Sequence, residues 1–151
     1  MKILIDGDSC CVMSLTEYIA HKHHIECHIY SDTSRTIEPE YDNVQIHTVE
    51  KGPNSVDFII TNHCNENDIV ITNDVGLATL VLSKKGIAIS PYGVEFTNDN
   101  IMSYLNQKFL RTSAARRQTR VQNMRAYGTH RKKTNYRQTL ISAIKRMENI
   151  G

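Results

Sequence analysis

Short apolar runs alternate with amphipathic stretches along most of this chain. Residues 2–6 begin with Lys2 and carry Ile3-Leu4-Ile5 before ending in Asp6, which predicts a buried strand. An apolar stripe of Cys10, Met13, Leu15, Ile19 and Ala20 predicts a helix from about Ser9 to His23, with Ser9 placed to cap it. Residues 25–30 read as a second strand and Ser31 to Asp42, polar and carrying Pro39, as a loop. Val44 to Val49 alternates and predicts a third strand. Gly52-Pro53-Asn54-Ser55 breaks the chain and starts a helix carrying Val56, Ile59, Ile60 and Cys64. A fourth strand is predicted at 68–72, a short helix from Val75 to Lys84 stopped near Gly86, and a fifth strand from Ile87 to Ser90 ended by Pro91.

Strands alternating with helices imply βαβ units, hence a mostly parallel sheet with helices on both faces. The pattern changes after residue 97. A helix capped by Asn98 or Asn100 is predicted through Ile101, Met102, Leu105 and Phe109, and a last one from about Asn135 to Met147 with Tyr136, Leu140, Ile144 and Met147 on one face. A length of 151 residues suits a single domain, read as an α/β core over 1–97 and a helical C-terminal segment over 98–151.

Charge divides at the same place. Residues 1–100 hold six Lys/Arg against fifteen Asp/Glu, a net of −9, whereas residues 101–151 hold twelve against Glu148 alone, a net of +11. Arg116, Arg117, Arg120, Arg125, Arg131, Lys132 and Lys133 are therefore the candidate nucleic-acid contacts, with Tyr127 and Tyr136 able to stack on bases. The competing reading is a basic segment lying against the acidic part of its own fold, with a solvated helix face and Tyr136 in the core. No apolar stretch is long enough to span a membrane, and no basic leader precedes the first strand, so a cytoplasmic location is expected. Cys10, Cys11, Cys27 and Cys64 have no C-x-x-C spacing and read as reduced thiols. His21, His23 and His24, at the end of the first helix, complement its dipole rather than form a zinc site.

The candidate chemistry sits where two strands end. The first runs into Asp6-Gly7-Asp8 and the fourth into Asn73-Asp74. Function in open parallel sheets collects at the carboxyl edge of the strands. Carboxylates gathered there repel unless a cation or shared proton intervenes, and their hard oxygens suit Mg²⁺ or Mn²⁺. Asp57, early in the helix before the fourth strand, is placed to lean over the same edge. Asp68 lies at the opposite edge and reads as a turn residue. The plainer alternatives are that Asp8 and Asp74 cap helices and that Asp57 is solvated.

At these residues the chain resembles the bacterial YaiI/YqxD family. The opening Met1-Lys2-Ile3-Leu4-Ile5-Asp6-Gly7-Asp8-Ser9-Cys10 looks like its hydrophobic strand followed by D-A-D-A-C-P. Gly52 to Asp57 resembles its G-x-D-x-A-D segment, and Asp68 to Ala78 its D-L-V-I-T-A-D-I-P-L-A segment. Pro91-Tyr92-Gly93, Phe96-Thr97 and Asn100-Ile101 resemble the segment that follows, so the likeness spans residues 1–110.

The family is regarded as PIN-like. The resemblance implies a three-layer α/β/α fold with a five-stranded sheet in the order 3-2-1-4-5. It also implies a Mg²⁺- or Mn²⁺-dependent nuclease acting on RNA, with Asp6, Asp57 and Asp74 as metal ligands and Asp8 as a ligand or a base for water. Asp6, Asp8 and Asp74 are then the candidate catalytic residues. A non-catalytic module binding RNA or protein and a phosphoesterase for small phosphorylated substrates are the competing readings. Cys11 and Gly76 stand where the family usually has proline, Asn54 where an acid is common, and the expected G-G-P segment survives only as Tyr127-Gly128-Thr129.

Overall fold

The computed structural model describes residues 1–7, 11–32, 37–50, 55–107 and 129–150. Its elements are β1 (Lys2–Asp6), α1 (Met13–Lys22), β2 (Glu26–Asp32), β3 (Val44–Val49), α2 (Ser55–His63), β4 (Ile69–Ile71), α3 (Val75–Ser83), β5 (Ile87–Ile89), β6 (Glu95–Phe96), α4 (residues 101–107) and α5 (Thr129–Ile150). The sheet order is β3-β2-β1-β4-β5-β6. Strands β1 to β5 run parallel in the expected order, with Ile3 beside Cys27 and Ile69, and Ile5 beside Ile29 and Ile71. The sixth strand was not expected. It runs antiparallel to β5, Ala88 facing Phe96, and two residues are too few for any period to register.

Alternation along the strands sends side chains into two cores. Ile3, Ile5, Cys27, Ile29, Ile69, Ile71 and Ile89 pack with Ile19 and Ala20 of α1 and with Tyr136, Leu140, Ala143 and Ile144 of α5. Leu4, Tyr30, Val70 and Ala88 pack on the other face with Val56 and Ile60 of α2, Leu77, Ala78 and Val81 of α3, and Ile101 of α4. The result is an α/β/α sandwich whose central strands are apolar on both faces, as parallel sheets require.

Several boundaries moved for physical reasons. Strand β2 continues through Ser31 and Asp32, read from sequence as loop, because Thr48 and Val49 of β3 supply pairing partners. Helix α1 has Val12 as its N-cap; Ser9 lies outside the described residues. Before α4 the reciprocal cap is made by Thr97 and Asn100. The Thr97 amide donates to Asn100 Oδ1 at 2.8 Å and the Asn100 amide to Thr97 Oγ1 at 3.2 Å. Helix α5 starts at Thr129 rather than Asn135, so Arg131, Lys132 and Lys133 lie in its first turns. Lys and Arg are good helix formers, and their polarity hid this stretch from a search for apolar periodicity.

Helix α5 is fastened to the end of the sheet. Tyr136 is fully buried, and its hydroxyl lies 2.5 Å from Thr16 Oγ1 of α1. Thr139 Oγ1 donates to the Gly93 carbonyl at 2.7 Å, and Arg146 pairs with Glu95 at 2.6 Å. Gly93 has φ 93°, and a Cβ there would stand 2.7 Å from the backbone of Asn135 and Tyr136. Only glycine allows this approach. Of the two readings left open for Tyr136, stacking on a base or packing in the core, its full burial decides for the core, and the ring cannot meet a base. Among the described residues no helix is long and apolar enough to cross a membrane.

Candidate functional site

Asp6 is the last residue of β1 and, two positions beyond Leu4, faces the α2/α3 layer. It is buried, and its Oδ2 accepts a hydrogen bond from Thr72 Oγ1 at 3.0 Å. Thr72 follows β4 directly, two positions beyond Val70, and so faces the same layer. The Thr72 amide donates to the Ile89 carbonyl, and the residue is fully buried. Its hydroxyl has a second task, accepting the Asp74 amide at 3.0 Å. One hydroxyl therefore spans the carboxyl ends of β1 and β4, orienting the Asp6 carboxylate and fixing the backbone at Asp74.

Asp74 is the N-cap of α3. Its Oδ1 accepts the Gly76 amide at 2.8 Å and the Leu77 amide at 3.3 Å. The capping role raised as the plainer alternative is thus real. The Gly76 bond bears on the departure noted above, because a proline at that position has no N–H to give. In this chain the Asp74 carboxylate is held by one more donor than a proline there would leave it.

Asp57 occupies the first turn of α2 and is half-buried, its carbonyl accepting Thr61 Oγ1 at 2.8 Å. Helix α2 crosses from β3 to β4, so its first turn lies at the same carboxyl edge as Asp6 and Asp74. Among the described residues no three His, Cys, Asp or Glu side chains gather at metal-holding spacing. What the fold joins is Asp6 with Asp74, through Thr72. Asp8, Arg116, Arg117, Arg120, Arg125 and Tyr127 lie outside the described residues, and Arg131, Lys132 and Lys133 are placed only as positions on α5.

The opposite edge is structural. Asp68 is buried and forms an ion pair with Lys2 Nζ at 2.7 Å, and it also accepts the Lys2 and Asn65 amides at 3.1 and 2.8 Å. It is more than a turn residue. Of the cysteines, Cys27 and Cys64 are buried, while Cys11 is exposed. Burial, aided by the Asp68 charge, pushes the Cys64 thiol up to about 11. At the end of α1, His21 stacks on Tyr41 with ring centroids 4.4 Å apart.

Two features escaped the sequence. Thr72 carried a weak signal, as a hydroxyl directly after an apolar run and before an acid. A cluster of His28, Tyr30, His47 and His63 carried almost none, since its members come from three elements.

Comparison with known proteins gives the family. Residues 4–146 match the family described as "Uncharacterized BCR, YaiI/YqxD family". The chain is 42% identical over 110 residues to a "UPF0178 protein" of Lachnoclostridium phytofermentans, covering 73% of this chain and 72% of the relative. It is 41% identical over 110 residues to the one of Clostridium perfringens (strain ATCC 13124), with the same coverage. It is 37% identical over 120 residues to the one of Natranaerobius thermophilus, covering 80% of each. No solved structure matches. The chain belongs to the YaiI/YqxD family.

Proposed function

We propose that this member of the YaiI/YqxD family is a PIN-like nuclease dependent on Mg²⁺ or Mn²⁺ and acting on RNA phosphodiesters. The observation that carries the reading is the Asp6–Thr72–Asp74 link at the carboxyl edge of adjacent parallel strands. The donor set is all hard oxygen. It fits a cation that keeps several waters and takes one or two carboxylates plus substrate phosphates, rather than one in an all-protein cage. When bound, such an ion supplies a water of lowered pKa and charge to offset that on the phosphate. Asp6 and Asp74 would hold it, with Asp57 reaching it through one of the retained waters, and Thr72 orients the Asp6 carboxylate at the strand end. Asp8 would take the proton of the attacking water. Arg116, Arg117, Arg120, Arg125, Arg131, Lys132 and Lys133 would bind the phosphate backbone, with an affinity that falls as salt rises.

A second reading, a non-catalytic module that binds RNA, draws on a specific feature. The Asp74 carboxylate is committed to two α3 amides, which lowers its availability as a ligand. The double variant Asp6→Asn with Asp74→Asn separates the two. Loss of RNA cleavage with retained RNA binding supports the nuclease. Cleavage unchanged in the double variant assigns the activity to a contaminant, and binding with no cleavage in the wild type supports the module.

A further inference from the structure

Period-two alternation puts His28 and Tyr30 of β2 and His47 of β3 on the α2 side of the sheet, and the last turn of α2 brings His63 onto them. His28 Nδ1 lies 2.9 Å from His47 Nε2. The Tyr30 hydroxyl lies 3.0 Å from His63 Nδ1. The His47 ring stacks on Tyr30, with centroids 4.7 Å apart and planes 13° from parallel, and on His28 at 5.1 Å. Its centroid is 6.4 Å from that of His63. His28 and His47 are half-buried.

This geometry limits how many protons the cluster can hold. An N···N hydrogen bond needs a proton on one nitrogen and a lone pair on the other. The His28–His47 bond survives with both rings neutral or with one charged. It fails when both are imidazolium, because two N–H groups and two positive charges then meet. Burial first, then the neighbouring imidazole charges, hold both His28 and His47 below the ordinary imidazole range. Glu26 on β2 opposes this at His28, and Lys2 on β1 adds to it. Lys2 is itself paired with Asp68. Burial, then Asp68, pushes Tyr30 up to about 12, so its phenol keeps its proton beside His63 Nδ1.

The location matters because, among the described residues, β3 ends the sheet and pairs with β2 alone. We propose that the His28–His47 pair forms a pH-sensitive clasp that holds β3 against β2 at neutral pH and releases it on acidification. The clasp does not depend on the nuclease reading. Its sign follows from linkage. A histidine held low in the closed state binds fewer protons than in the open one, so its contribution is complete above about pH 6.5 and declines as the pH falls from there through the closed-state values. Each coupled imidazole raises the opening constant by at most about tenfold per pH unit.

Amide hydrogen exchange on the full chain between pH 7.5 and 5.0, corrected for intrinsic rates, tests this. Protection of Val44–Val49 is expected to fall about tenfold or more across that range while that of Ile3–Ile5 and Ile69–Ile71 holds. His47→Gln, neutral at every pH and able to donate or accept, should shrink the step, since burial still holds His28 low. Equal loss in both groups of strands, no loss in either, or a step of undiminished size in His47→Gln overturns the clasp. Should that variant not fold, imidazole NMR titration of the wild type decides. Coupled titration of His28 and His47 below the ordinary range supports the clasp, and independent titration near 6.5 overturns it.

Discussion

Thr72→Val is the most informative single change, because it removes one hydroxyl and keeps the shape of the side chain. That hydroxyl donates to Asp6 Oδ2 at 3.0 Å and accepts the Asp74 amide at 3.0 Å. A hydrogen bond to a charged group contributes about 1.5–3 kcal/mol and an ordinary one about 1 kcal/mol. Thr72 is fully buried and Asp6 is buried, so water cannot readily replace the lost partner. The expected destabilisation is about 3 kcal/mol, which for a chain of this size lowers Tm by roughly 6–12 °C. Thr72→Ser is the control, keeping the hydroxyl and losing one methyl at a cost of about 1 kcal/mol. Reversible urea unfolding at 25 °C, with equal m-values required, measures both. A Thr72→Val no less stable than Thr72→Ser would refute the claim that this hydroxyl joins the two strand ends.

Lys2→Met should destabilise by about 2 kcal/mol by urea unfolding; the figure lies below the full cost of breaking a buried pair because Asp68 keeps two backbone amides. Gly93→Ala forces a Cβ to within 2.7 Å of the Asn135 and Tyr136 backbone at φ 93°. It should loosen α5, read as greater proteolysis of residues 135–147 at a temperature where the wild type resists. Iodoacetamide at pH 8 should modify exposed Cys11 in the native protein and reach Cys64, whose thiol burial pushes up to about 11, only after unfolding, as read by mass spectrometry.

Much of the fold was legible because buried parallel strands leave continuous apolar runs. Ile3-Leu4-Ile5 and Ile69-Val70-Ile71 announce β1 and β4, and the acids that end them mark the carboxyl edge. What escaped depends on partners distant in sequence. Ser31 and Asp32 read as loop because their strand character comes from Thr48 and Val49. The first turns of α5 have no apolar stripe to reveal them. Tyr136 could equally have stacked on a base, and only the Thr16 contact and its full burial decide that it is core. At the site, the positions of Asp6 and Asp74 were readable. Their connection was not, because Thr72 looks from sequence like any polar residue at a strand end. The histidine cluster was invisible because 19 residues separate His28 from His47, and no local pattern marks rings that meet across strands.

Titration of Mn²⁺ into the apo protein by calorimetry, wild type beside Asp6→Asn, tests the central claim most directly. The account predicts saturable binding in the wild type, with or without an RNA oligonucleotide to complete the shell, and its loss in Asp6→Asn. Absence of binding in the wild type even with RNA present, or equal binding in the variant, would contradict an ion held at the carboxyl edge of β1 and β4.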